Sequence, residues 1–284
     1  MIRVRFHIIV VSYNPGERLR NTLESIYAQD YRDYDVVIED SESDDGSLST
    51  LRDRGFFDEK LREERTKIYS EKDKGIYDGM NLAVSRIGRS ENNAEETREY
   101  VLFLNCGDRF HDKQVLGAIA DHIAEEKEDR LCIFYGDQFD LLRGTVVSSN
   151  RKLNEFALYR NVPCHQVCFY DLRLFDERGY DTKYRVRADY EHFLYCIYKR
   201  NAAAEYVNVI VSDYEGDGYS ESEEGRKLSQ EEHDSITHEY MGRNADKYKW
   251  RLILTGSGIR TKLAGNPKFS GTYNKIKSFV YSRK

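Results

Sequence analysis

The stretch Phe6 to Asn14 reads FHIIVVSYN and passes directly into PGERLRNTLESIYAQD. Its first part is a continuous apolar run that stops at Ser12, Tyr13 and Asn14, and such a run suits a strand covered on both faces. In the second part Leu19, Leu23, Ile26 and Tyr27 fall on one helical face, with Pro15 suited to the first turn. Strand followed by helix is half of a βαβ unit, and the pattern recurs. DVVIED (Asp35 to Asp40) leads through SESDDGS to a short helix around Leu48 to Arg54. TKIYS (Thr66 to Ser70) leads to a helix through Met80 to Ile87. After the polar insertion GRSENNAEETRE comes EYVLFLNCGDRF (Glu99 to Phe110), then a helix from Asp112 to about Ala124.

Strands alternating with helices predict an α/β fold with a Rossmann-like, mostly parallel sheet flanked by helices. Ligands of such sheets sit beyond the carboxyl ends of the strands. Each strand here ends in polar groups: Ser12, Tyr13 and Asn14; Asp40; Glu71 and Asp73; Asn105 and Asp108. Any one of these could be a helix cap or a turn residue. Four in register point to a site. The second half is less regular: LCIFYGD and QFDLLRGTVVS suggest a strand and a hairpin, HQVCFYD a strand, ADYEHFLYCIYKR an amphipathic helix opening with acids, and EYVNVIVSDY a strand before the turn-rich EGDGYSES.

The chain has 284 residues, 39% hydrophobic and 33% charged, enough for one sizeable core and a smaller appended unit. Five scattered cysteines and the lack of a signal-peptide pattern lead us to expect free thiols in a reducing cytoplasm. Cys164, His165 and Cys168 have a passing look of zinc ligands, but a structural zinc site wants four, and buried small residues in a strand is the plainer account. No segment approaches the roughly 20 apolar residues that span a bilayer. Charge is uneven: residues 245–284 hold ten Lys or Arg and one acid, Asp246, so this segment is +9 while the rest carries −15.

IIVVSYN, IEDSESDDGS, SEKDKGIYDGMNLAV, LFLNCGD, HQVCFY and RVRADYEHFL, in this order and spacing, resemble family 2 glycosyltransferases of the GT-A fold, particularly those building bacterial capsule, O-antigen or exopolysaccharide. The resemblance spans about residues 6 to 220. It implies that Asp40 accepts hydrogen bonds from the nucleobase, that Ser12 and Asn14 border the same pocket, and that Asp73 and Asn81 lie near the donor. LFLNCGD occupies the place of a metal-binding DxD. Asn105 and Gly107 replace two of its acids, leaving Asp108 to hold Mg2+ or Mn2+ against the donor diphosphate. Asp189 matches the general base. Arg185 and Arg187 could help to keep it ionised, as would the start of a helix.

His165 and Gln166 match a family HQ pair and, with Arg187, are candidates to face substrate. The GDGYS turn could offer backbone N–H groups and the Ser220 hydroxyl to phosphate. The resemblance thus implies an inverting enzyme that moves a sugar from a nucleotide diphosphate, UDP rather than GDP, to a lipid-linked saccharide. Residues 1–136 would bind the nucleotide sugar, 137–244 the acceptor and the base, and 245–284 would form a basic amphipathic helical tail docking on anionic lipid at the inner face of a bacterial membrane. Nucleic acid is not an expected partner, because the acidic body repels phosphate backbones. The competing readings are a sugar-phosphate nucleotidyltransferase, for which SYNPGER is too poor in glycine, and a non-catalytic, degenerate transferase.

Overall fold

A computed structural model describes residues 2–88, 97–216 and 222–254. Ser220, most of the polar insertion and the tail from 255 lie outside the described residues. The chain divides into two units, Met1–His233 and Asp234–Lys284.

The first half carries β1 (Arg3–Ser12), α1 (Glu17–Tyr27), β2 (Tyr34–Asp40), α2 (Ser47–Asp53), α3 (Lys60–Arg65), β3 (Thr66–Ser70), α4 (Ile76–Ser85) and β4 (Thr97–Phe103). There follow β5 (Arg109–Phe110), α5 (Val115–Glu125), β6 (Cys132–Asp140), β7 (Thr145–Val147), α6 (Glu155–Arg160), a 3-10 turn at His165–Val167, β8 (Cys168–Asp171) and a second 3-10 turn at Leu172–Phe175. The remaining elements are α7 (Ala188–Tyr198), β9 (Ala203–Tyr214), α8 (Glu223–Met241) and α9 (Arg243–Leu254).

Among the described residues the strands form one sheet in the order β3-β2-β1-β4-β8-β6-β9-β5, with β7 hairpinned on β6. β1, β2, β3 and β4 are mutually parallel, as the βαβ pattern requires. β8 is antiparallel to both β4 and β6, a direction the apolar run VCFY does not reveal. Phe6, Ile8, Ile9 and Val10 have no solvent exposure, so β1 is covered on both faces. α1 buries Leu19, Leu23, Ile26 and Tyr27. Pro15 is not in its first turn: the helix is capped at Gly16, and Pro15 lies before the cap. α5 likewise begins three residues later than its sequence suggests, because Asp112 accepts from the Gln114 N–H ahead of the helix.

Parallel register fixes the edge where a ligand would sit. Ser12 on β1 faces Asp40 on β2, and Asp40 faces Ser70 on β3. The three polar ends meet because the strands end together.

Across the same sheet His7 is 2% exposed, with Asp35 Oδ1 at 2.8 Å and Glu99 Oε1 at 3.4 Å. Burial works against the charged imidazole, yet the hydrogen bonds and charges of Asp35 and Glu99 hold its pKa above the ordinary 6.5. A pKa raised on folding gives stability that is fully present below 6.5 and is lost as pH rises through the folded value. His7→Gln is therefore expected to lower Tm more at mildly acidic than at alkaline pH. Equal losses at both would show that folding does not raise the imidazole pKa.

Candidate active site

A cavity of about 550 Å³ opens at the carboxyl ends of β1, β2 and β3, lined by residues that include Ser12, Tyr13, Ser41, Lys72, Asp73 and Ile76. Two predicted donor residues, Ser12 and Asp73, thus line it. Asp73 Oδ1 accepts from the Gly75 N–H at 2.9 Å, shaping the turn into α4.

Three other expected donor residues are engaged elsewhere. The Asp40 carboxylate, 1% exposed, accepts from Ser12 Oγ at 2.7 Å, Ser43 N at 2.9 Å, Ser43 Oγ at 2.6 Å and Ser70 Oγ at 3.2 Å. It holds the pocket's rim together, and a nucleobase would have to displace one of these donors to reach it. Asn14, with φ 46°, accepts through Oδ1 from Asp44 N and Asp45 N and so ties β1 to the SESDDGS loop. Asn81 spends both ends of its amide on the backbone of Tyr180, at 2.9 and 2.8 Å. That clip explains Gly179, since a Cβ there would lie 2.1 Å from Asn81 Oδ1.

Beyond β4 the chain turns through Asn105, Cys106 and Gly107 to Asp108. Gly107 has φ 104°, and a Cβ would lie 2.7 Å from Glu215 Oε2. Asp108 is 5% exposed. Burial pushes its pKa up to about 6, against the opposing hydrogen bond from Gln166 Nε2 at 2.9 Å. Gln166, expected to face substrate, is instead buried against this carboxylate. The strain on an under-compensated anion would be relieved by a cation, so the residues present fit a divalent metal held by Asp108. Asn105 Oδ1 is a further buried acceptor with no hydrogen-bond partner in the same turn.

Asp189 is the second residue of α7, with a side chain 21% exposed. Its Oδ1 accepts from Tyr190 N at 2.8 Å and lies 3.0 Å from Tyr77 Oη, whose single hydrogen is shared with the Val186 carbonyl at 2.9 Å; its Oδ2 lies 3.3 Å from His165 Nδ1. Burial alone would raise its pKa, but His165, the Tyr190 N–H and the Tyr77 hydroxyl together hold it below the ordinary carboxylate value. The carboxylate is ionised at neutral pH. His165 Nε2 in turn lies 2.9 Å from Asn105 Nδ2. The Asp108 turn and the start of α7 are thus bridged by the HQ pair, His165 to Asp189 and Gln166 to Asp108.

Arg187 Nε donates to Ser229 O at 2.9 Å and Ser229 Oγ at 2.8 Å, so this guanidinium is engaged by Ser229. What shapes the approach to α7 is Glu232, whose carboxylate accepts from the N–H groups of Arg185, Val186 and Arg187 at 2.7 to 3.0 Å. Neither Glu232 nor Tyr77 carries a spacing signal that would have exposed it.

Cys164, His165 and Cys168 do not converge as metal ligands among the described residues, and the Cys168 thiol donates to the Cys164 carbonyl. Among the described residues the metal-competent trio is His122, Glu126 and Glu205, whose two carboxylates already receive Arg130.

This arrangement of sheet edge, pocket and buried acids is that of a GT-A glycosyltransferase. The profile of glycosyl transferase family 2 matches residues 7–169, and the chain belongs to that family. A PGL/p-HBAD biosynthesis glycosyltransferase of Mycobacterium bovis is 31% identical over 212 residues, covering 74% of this chain and 76% of the relative. An uncharacterized glycosyltransferase of Mycobacterium tuberculosis is 27% identical over 195 residues, 66% of each chain.

Two solved structures share the fold. S. aureus TarS 1-349 in complex with UDP-GlcNAc superposes with TM-score 0.61 at 17% identity, covering 86% of this chain and 70% of that one. The mannosyltransferase PcManGT of Pyrobaculum calidifontis, in complex with GDP-Man and Mn2+, gives 0.62 at 15% identity, covering 98% and 81%. Family membership makes this chain a glycosyltransferase rather than a sugar-phosphate nucleotidyltransferase or a non-catalytic binding protein.

Proposed function

We propose that the protein is an inverting glycosyltransferase that takes a sugar from a UDP-sugar and places it on a lipid-linked saccharide acceptor in bacterial surface polysaccharide synthesis. The observation that carries this reading is the ionised, hydrogen-bonded Asp189, one helix start away from the cavity: Ile76 lines the cavity and the adjacent Tyr77 donates to Asp189.

The acceptor O–H bond breaks with its proton passing to Asp189, while the acceptor oxygen bonds the anomeric carbon from the face opposite the diphosphate. The bond to the diphosphate breaks with its electron pair on the leaving oxygen, and configuration inverts. Residues 1–136 supply the donor pocket, and residues 137–244 supply the base and the acceptor side. A bound divalent cation, Mg2+ or Mn2+, would neutralise the leaving diphosphate, and Asp108 is the residue that would hold it. The neighbours solved with UDP-GlcNAc and with GDP-Man and Mn2+ are the precedent for donor and metal.

The tail supports a peripheral site of action on the inner face of a bacterial membrane. No helix among the described residues is long and apolar enough to cross a membrane. α9, however, leaves Trp250, Ile253 and Leu254 exposed at 65%, 57% and 83% beside Lys247, Lys249 and Arg251. An aromatic anchor among cations suits an anionic lipid surface.

Asp189→Asn keeps the shape of the base and removes its function, so turnover is expected to fall by about 10²- to 10⁴-fold with donor affinity unchanged, as removal of a general base does. Retention of more than about a tenth of turnover would exclude Asp189 as the base. The assay is release of nucleoside diphosphate across a panel of nucleotide sugars, where a GDP-sugar preference would overturn the UDP assignment. In EDTA that release is expected to stop and to return with Mn2+; full activity without metal would leave Asp108 a structural acid. Co-sedimentation of the full chain with anionic vesicles is expected to weaken in high salt and to disappear on deletion of 245–284. Equal binding by the truncated protein would refute docking through the tail.

A further inference from the structure

His165 lies between two groups whose chemistry fixes its proton. The Asn105 amide nitrogen can only donate, so at 2.9 Å it requires a bare lone pair on His165 Nε2. A neutral imidazole then carries its hydrogen on Nδ1, which faces Asp189 Oδ2 at 3.3 Å, a group that can only accept. The ring is 11% exposed, so little water competes for either nitrogen. Asp189 Oδ1 is already taken by Tyr77 and Tyr190. Oδ2, with this one longer bond, is the oxygen left to receive a proton.

We propose that His165 is a positioning residue, held by Asn105 as the Nδ1–H tautomer so that it orients Asp189 with Oδ2 toward the acceptor hydroxyl. The proposal rests on the reading of Asp189 as the base. It also gives Asn105 a purpose of its own: an acid at 105 has no N–H to give to Nε2, and the Nδ1–H tautomer would lose the donor that fixes it. With Nε2 occupied by Asn105, His165 is not a second base.

Nitrogen-15 NMR of the histidine-labelled full chain near neutral pH tests the tautomer without turnover, the His165 signal being the one lost in His165→Gln. The Nδ1–H pattern is expected. An Nε2–H tautomer or an imidazolium in the wild-type protein would overturn the proposal, as would an unchanged pattern in Asn105→Leu.

Kinetics test the purpose. His165→Leu keeps volume but removes the donor, and kcat is expected to fall by about ten- to a hundredfold, the rate equivalent of one hydrogen bond to a charged group, with KM for the donor nearly constant. His165→Gln restores an N–H and should recover most of the loss. Equal loss in both, or a loss carried by KM, would overturn positioning; should His165→Leu fail to fold, the Gln variant must still keep most of wild-type kcat for positioning to stand. If Asp189→Asn keeps its turnover, the base reading fails and positioning with it, while the tautomer measurement reports the contact independently.

Discussion

A carboxylate removed from water must be compensated, and this site is built on three buried acids compensated to different degrees. Asp40 receives four hydrogen bonds, three from hydroxyls and one from a backbone N–H. Asp189 receives an amide N–H, a phenol and an imidazole. Asp108 receives the Gln166 amide, and burial still pushes its pKa to about 6. The more donors a buried carboxylate receives, the less burial can raise its pKa.

Sheet register produces the first of these almost by itself. Because β1, β2 and β3 are parallel and end together, Ser12, Asp40 and Ser70 stand side by side, and the hydrogen bonds follow from the pairing. A slip of one residue would turn Asp40 to the other face and take its carboxylate away from Ser12 and Ser70. The register is itself fixed by the unexposed Ile8, Ile9 and Val10, so core packing and the pocket rim are one constraint.

Much of this was legible in the sequence. The alternation of apolar runs with helical periodicity marked the elements from β1 to β4 within a few residues, except the short α3, and the acids at strand ends marked the edge where the pocket lies. Asp189 was marked by its place at a helix start within RVRADYEHF. Direction and partnership were not legible. That β8 runs antiparallel depends on its neighbours, and that Asn81 clips Tyr180 depends on a contact 99 residues away. Arg187, two residues from Asp189 in sequence, reaches Ser229, and the imidazole beside Asp189 comes from His165, 24 residues before it. Tyr, Asn and Gln form these long contacts, and none of them carries a periodicity.

The surroundings of Asp189 are assembled from pieces that meet only when the whole first unit is packed. Tyr77 comes from α4, Asn105 from the turn after β4, His165 from a 3-10 turn and Asp189 from α7, and the longest hydrogen-bonded separation is 112 residues. Tyr77 is placed by its ring contact with Tyr180, which Asn81 clips and which also packs on Phe103 of β4 and on Phe175. The ionisation of Asp189 therefore depends on aromatic packing at one remove: loosen Tyr180 and the Tyr77 hydroxyl loses its aim. Burial, which the fold needs for that packing, is also what opposes the charge. The polar donors around Asp189 have to be held rigidly, since a carboxylate removed from water and only half satisfied takes up a proton.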